Sequence, residues 1–166
     1  MYSTIDAFTT DWKQESDSTL KIMKALTDAS LKTKVNAEGR SLGFLAWHIV
    51  LTLGEMGSKA GLTVIAPAED SPEPAYASAI AAAYEKAAQT LGADVKAKWT
   101  DAMLPDKIEM YGEKWTRAGT LFGLVKHEVH HRAQMTVLMR QAGLKVPGVY
   151  GPAREEWAQY GMPTMK

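Results

Sequence analysis

The apolar residues of the chain fall into separated segments, and in most segments they recur at helical spacing. From about Thr4 to Leu31, many of them lie three or four positions apart, which predicts a first helix. The segment from Ser41 to about Ala60 is apolar on nearly every side, which predicts a deeply buried second helix. Its length favours helix over strand despite its β-branched residues and glycines.

Prolines and glycines separate the second helix from a third. Residues 61–74 contain several prolines and read as a loop. Alanine dominates from Ala75 to about Leu91, which predicts the third helix. A second helical piece, from Asp94 to about Met103, continues it after Gly92.

The last third of the chain predicts one more long helix. Polar and apolar residues alternate over 107–116, with Gly112 in the middle, which indicates a short hairpin or an extended crossover. The fourth helix starts at Thr116 or Thr120 and runs to Ala142, before a C-capping Gly143. An irregular tail and a short helix at 153–160 follow. The predicted fold is therefore all-α, a four-helix bundle with a long crossover before the last long helix.

Composition narrows the class of protein. A length of 166 residues fits one domain, residues 1–166, with a sizeable core. The 19 basic and 19 acidic residues cancel, which argues against a nucleic-acid or anionic membrane partner. No apolar run is long enough for a membrane span and no signal peptide is recognisable, so a cytoplasmic location is expected. The absence of cysteine excludes thiolate ligands and a cysteine nucleophile.

Three of the four histidines lie close together in the fourth helix. On a helical projection, His127 and His131 are about 40° apart, on a stripe of otherwise apolar residues. Its apolar members are Leu124, Met135 and Leu138. His130 lies about 60° to the other side and points away from the stripe. Glu128 and Arg132 lie about 100° to 140° from the stripe and are predicted to face solvent or an interface.

The fourth histidine, His48, lies in the most apolar helix. Two readings of the set His48, His127 and His131 remain open. They could be hydrogen-bonded core histidines, each with its donor and acceptor satisfied. If they converge, three neutral imidazoles suit Zn²⁺, Ni²⁺, Fe²⁺ or Mn²⁺, and leave coordination positions open as in a catalytic zinc site.

Two polar residues could support such a site. Glu55 lies about two helical turns after His48 and could accept a proton from a ligand imidazole or act as a base. Gln134 lies close to one turn from His131 and could orient water or substrate. Both could instead be ordinary exposed polar residues. The five tryptophans are interpreted as core or dimer contacts.

The segment from His127 to Gln134, with a Trp-His pair in the second helix and the tail from Gly143 to Pro152, resembles the DinB/YfiT-like superfamily. The resemblance covers nearly the whole chain. It implies a four-helix bundle with His48, His127 and His131 as ligands of a divalent metal ion near one end of the core. It also implies a homodimer, as in many members.

The resemblance leaves the reaction open. Some relatives are thiol transferases that use bacillithiol, mycothiol or glutathione, and one branch isomerises maleylpyruvate. In those relatives the metal is expected to bind and activate the cofactor thiol as a thiolate. In this chain a divalent metal, with Zn²⁺ or Ni²⁺ favoured over Fe²⁺ or Mn²⁺, could activate an external low-molecular-weight thiol or, equally well, water, for S-transfer or hydrolysis of a small molecule. The alternatives are a non-catalytic metal-binding module of the stress response and a structural bundle without metal.

Overall fold

Four long helices make up most of the protein in a computed structural model, which describes residues 1–161 and 163. The long helices are α1 (Ile5–Lys24), α2 (Leu42–Lys59), α3 (Ala77–Lys98) and α4 (Arg117–Gln141). Strands β1 (Lys107–Met110) and β2 (Glu113–Thr116) form an antiparallel hairpin, with Lys107 opposite Thr116. Short 3₁₀ helices span Asp28–Lys32, Asp101–Met103 and Arg154–Tyr160. The predicted four-helix bundle is confirmed, and the segment before α4 is a hairpin.

Hydroxyl side chains cap three of the long helices. The side chain of Thr4 accepts a hydrogen bond from the Ala7 amide, Ser41 from Phe44, and Thr116 from Gly119. Each cap satisfies an amide that has no partner within the helix. The start predicted at Ser41 is confirmed, and of the two predicted starts of α4, Thr116 is the one that caps it.

The first and third helices differ from the predicted boundaries. Helix α1 ends at Lys24, and a separate 3₁₀ helix, capped by Thr27, covers the residues up to Lys32. The two predicted pieces of α3 form one helix that passes through Gly92 and ends at Lys98. A Cβ at Gly92 would lie 2.9 Å from Trp12 Cδ1, so the glycine leaves room for the indole of α1.

Helix α4 packs mainly against two other long helices. It packs against α2 and against α1, while α3 covers α1 and α2 from the opposite side. Trp12, Trp47 and Trp99 are buried, and the other two tryptophans are partly buried. Among the described residues, no helix is long and apolar enough to cross a membrane. Because α4 has two covered sides, polar residues on either side lie in the interior of the bundle.

Candidate metal centre

Helices α2 and α4 bring three imidazoles together. His48 Nε2 lies 3.1 Å from His127 Nε2, and His131 Nε2 lies 3.1 Å from the same atom. One ring nitrogen from each residue lies within 4.8 Å of those of the other two, so the group could hold a metal ion. The convergence of His48, His127 and His131 that the sequence suggested is therefore present.

The hydrogen bonds around His131 determine where its proton sits. Gln134 Oε1 lies 2.8 Å from His131 Nδ1, and an amide oxygen only accepts, so Nδ1 carries the proton. The amide nitrogen of Gln134 lies 3.2 Å from His130 Nε2, which agrees with this orientation. In the neutral ring, His131 Nε2 is then a bare acceptor that faces the other imidazoles.

Hydrogen bonding alone cannot satisfy all three facing nitrogens. His48 Nε2 and His131 Nε2 both approach His127 Nε2 at 3.1 Å. A proton on His127 Nε2 could be donated well to only one of them. The other nitrogen is then left as an acceptor without a well-directed donor, and if His127 Nε2 is itself bare, its lone pair faces that of His131. A cation would stabilise either arrangement.

The imidazoles are held in the neutral form that binds metals. Burial is the main cause that lowers the pKa of His48, His127 and His131, and positive charge nearby, including that of Arg40, contributes to the lowering of all three. Together these causes bring the pKa of His127 to about 4. Neutral imidazoles need not lose a proton before they bind a metal ion near pH 7.

The spacing of the nitrogens fits a small divalent ion. Nitrogens about 2.0–2.1 Å from one tetrahedral ion lie about 3.3 Å apart, which is close to the two measured 3.1 Å separations. No fourth histidine or carboxylate joins the group among the residues that the structure describes. His48 and His127 are only partly buried, so a ligand could reach an ion held there.

The structure places the two predicted supporting residues differently. Gln134 contacts His131 directly and is itself exposed, which agrees with a residue at the rim that fixes the ring. The carboxylate of Glu55 lies 3.8 Å from Lys59 Nζ and is not part of the histidine group. Its role as a base stays a prediction.

The prediction that Glu128 and Arg132 face solvent or an interface is wrong. They are 1% and 2% exposed. Thr19 and Tyr84 donate hydrogen bonds of 2.7 and 2.9 Å to Glu128 Oε1, while Glu128 Oε2 has no partner among the residues that the structure describes. The projection considered one covered side of α4, and these residues lie on the side that packs against α1.

Arg132 is tied to the first helix and to the tail. It donates to Glu15 Oε2 at 2.6 Å, to the Glu15 carbonyl at 2.9 Å and to Thr19 Oγ1 at 3.0 Å. It also donates to the hydroxyl of Tyr150, which in turn donates to Glu15 at 2.7 Å. We call the residues Glu15, Thr19, Tyr84, Glu128, Arg132 and Tyr150 the buried polar network.

One residue at the histidine group was not singled out from the sequence. The guanidinium of Arg40 lies 5.0 Å from the ring centroid of Phe44, and that ring is stacked on His48 with centroids 5.9 Å apart. Phe44 and His48 are four positions apart on α2, but Arg40 precedes the capping Ser41, so helical spacing alone would not have grouped it with them.

Comparison with known proteins gives consistent matches. The model of the DinB family matches residues 1–164. The uncharacterized protein YrdA of Bacillus subtilis is 45% identical over 166 residues, which is 100% of this chain and 99% of that protein. A crystal structure of a DinB-like protein from Bacillus cereus has a TM-score of 0.86 and 40% identity, over 90% of this chain and 100% of the other. A DinB-like protein of Bacillus subtilis, YjoA, shares the fold at a TM-score of 0.67 and 18% identity, over 86% and 96% of the two chains.

Proposed function

The chain belongs to the DinB family, and from that premise we propose that it binds one divalent metal ion through His48, His127 and His131. The observation that carries this proposal is the meeting of three imidazole nitrogens, each within 4.8 Å of the others, on two helices that are far apart in sequence. Zn²⁺ and Ni²⁺ suit this neutral nitrogen set best, and Fe²⁺ or Mn²⁺ would bind more weakly.

The proposed activity is that of a metal-dependent transferase or hydrolase. When bound, a divalent ion with open positions would lower the pKa of a thiol or water and polarise a carbonyl. The protein has no cysteine, so the thiol would come from a low-molecular-weight cofactor. Gln134 would keep His131 in the tautomer whose Nε2 is free to bind, and the bundle would hold the three rings in place.

A non-catalytic metal-binding module is the second candidate. Such a module would be expected to close its ion off with a fourth side chain. Within the described part of the chain, the group contains three ligands and two of them are partly exposed. This favours a site that admits a small molecule.

Elemental analysis of untagged protein prepared without added metal tests the metal site. We expect about one divalent ion per chain in the wild type and its loss in His127→Ala. His130→Ala is the matched control, because His130 is the exposed neighbour outside the group. A wild type that neither carries metal nor takes it up would contradict the proposal.

Activity is tested separately with the metal-loaded protein. Bacillithiol, mycothiol and glutathione would each be offered with electrophilic acceptors, and ester substrates would be offered without thiol. Turnover should need the metal and disappear in His127→Ala, while His130→Ala should retain it. A loaded protein that is inactive with every pair would favour the binding module.

A further inference from the structure

A cavity of about 440 Å³ lies beside the histidine group. Its walls are mostly apolar, and its two polar lining residues are Arg40 and Gln134. The apolar lining residues are Val35, Leu45, Val137 and Leu138. A pocket of this size, with apolar walls and few polar groups, is typical of small-molecule sites.

Both polar residues of the pocket connect to the histidine group. Gln134 accepts the hydrogen bond from His131 Nδ1 at 2.8 Å. Arg40 lies over Phe44, whose ring stacks on His48. A ligand in the pocket would therefore contact two residues that adjoin the histidine group, Gln134 directly and Arg40 through Phe44.

The one charged residue that lines the pocket, Arg40, is positive. In the part of the chain that the structure describes, Arg40 forms no ion pair and no side-chain hydrogen bond, and its exposed guanidinium lies over the ring of Phe44. The imidazoles are neutral ligands, so an ion held by them would add positive charge beside Arg40. A guanidinium in this position is suited to a carboxylate, which it can bind with two parallel hydrogen bonds.

We propose that this pocket binds small carboxylates with an apolar body, with the carboxylate on Arg40 and the body against Val35, Leu45, Val137 and Leu138. As an identification of the substrate class, the proposal rests on the proposed function. Binding in the pocket itself needs only Arg40 and the apolar walls, so it can be measured without metal.

The apolar residues at the pocket support a ligand with an apolar body. Val35 and Val137 are 65% and 53% exposed, and Phe44, beside the pocket, is 41% exposed. Exposed apolar residues that cluster around a cavity are a feature of binding sites. A ligand that covered them would remove apolar surface from water while its carboxylate met Arg40.

The test is titration of octanoate and octan-1-ol into metal-free protein by calorimetry, with methyl NMR spectra of Leu45, Val137 and Leu138. The pocket should bind octanoate with a dissociation constant in the millimolar range, as expected for a ligand of this size. Octan-1-ol should bind about tenfold more weakly, because a charged hydrogen bond is lost. The methyl resonances of the three residues should shift.

Variants of Arg40 test whether the carboxylate of octanoate binds this residue. Arg40→Met should weaken octanoate binding about 10-fold to 100-fold and leave octan-1-ol within about twofold. Arg40→Lys should recover part of the loss, since it restores the charge without the planar geometry. Lys34→Met is the matched control: it removes an equal charge from the same loop, but Lys34 does not line the pocket. Octanoate binding there should stay within about twofold of the wild type.

Three results would overturn the proposal: equal binding of the acid and the alcohol, equal loss in Arg40→Met and Lys34→Met, or no octanoate binding. A second titration with zinc-loaded protein should show tighter octanoate binding. If the protein takes up no zinc, the proposed function fails while the metal-free titrations still decide the pocket. If zinc binds and Arg40→Met has no effect, the pocket proposal alone fails.

Discussion

Helix α4 carries polar residues on two sides, and the two sets differ in how fully their hydrogen-bonding atoms are used. On the side toward α2, three imidazoles direct nitrogens at one another, and two of them remain partly exposed. On the side toward α1, the residues of the buried polar network are shielded from water, except for the largely exposed Tyr150, and Arg132 donates to Glu15, Thr19 and Tyr150.

The difference distinguishes the structural role of the network from the metal-binding role proposed for the histidine group. Buried polar groups that stabilise a fold are normally paired, because an unpaired one costs free energy. The network follows this rule except at Glu128 Oε2. The histidine group does not, because its facing nitrogens have more acceptors than donors. Neighbours in sequence can thus belong to different sets: His127 is part of the histidine group, and Glu128 is part of the buried polar network.

Breaking the network should have the largest effect on stability. Arg132→Met leaves the carboxylate of Glu15 buried with only Tyr150 as a partner, so we expect a loss of about 3–5 kcal/mol in the free energy of unfolding. Urea denaturation of the metal-free protein measures it. Arg140→Met, which breaks the more exposed pair with Glu155, is the control and should cost no more than about 1 kcal/mol. Similar losses in both variants would contradict the comparison.

Removing metal should affect only the histidine side. At free zinc a hundredfold above the dissociation constant, the wild type should gain about 2.7 kcal/mol over the chelated protein. His127→Ala should gain nothing. Arg132→Met, with less stability to begin with, should still show the full gain, because the network lies on the other side of α4. Loss of the gain in Arg132→Met would show that the two sides are coupled.

Glu128→Gln tests whether the buried carboxyl of the network makes the stability of the protein depend on pH. Burial raises the pKa of Glu128 to about 7. Between the usual carboxyl pKa of about 4.3 and 7, the folded state binds more protons than the unfolded state, so stability falls as pH rises. Glutamine can accept both hydrogen bonds at Oε1 and does not titrate. The variant should match the wild type near pH 4 and exceed it by on the order of 1–3 kcal/mol at pH 8.

Thermal or urea unfolding of metal-free wild type and variant across that pH range gives the result. A difference in stability that does not change with pH would show that the carboxyl does not titrate in the folded protein over this range.

The smallest effect is expected at the rim of the histidine group. Gln134→Ala removes the partner that fixes the tautomer of His131, and it should weaken zinc binding about tenfold. Because Gln134 is exposed, stability should change by less than about 0.5 kcal/mol. Competition with a chelating indicator measures the affinity. An unchanged affinity would mean that the bundle alone orients the ring.

Much of the fold could be predicted from local signals. Ser41 and Thr116 are capping residues at the starts of apolar periodic segments, and both cap helices. The helical spacing of His127 and His131 placed them on one face, and the apolar surroundings of His48 placed it in the interior. Their convergence needed only that α2 and α4 be neighbours, which the family resemblance supplied.

The rest depended on contacts between distant segments. Gly92 looked like a break in α3, and only the indole of Trp12 explains why a continuous helix has glycine there. Glu128 and Arg132 were predicted to be exposed because they lie away from the histidine stripe on the helical projection, and charged residues are rarely buried without partners. Their partners Glu15, Thr19 and Tyr84 lie on other helices, and no local sequence pattern predicts these contacts.

The pairing of Glu15 with Arg132 also bears on when the bundle can close during synthesis of the chain. The carboxylate leaves the ribosome 117 residues before its guanidinium, and 135 residues before the hydroxyl of Tyr150. At about 5–20 residues per second, these partners would emerge about 6 to 27 seconds after Glu15. Until then, α1 can bury its carboxylate only unpaired. The bundle is therefore expected to close late, when nearly the whole chain has emerged.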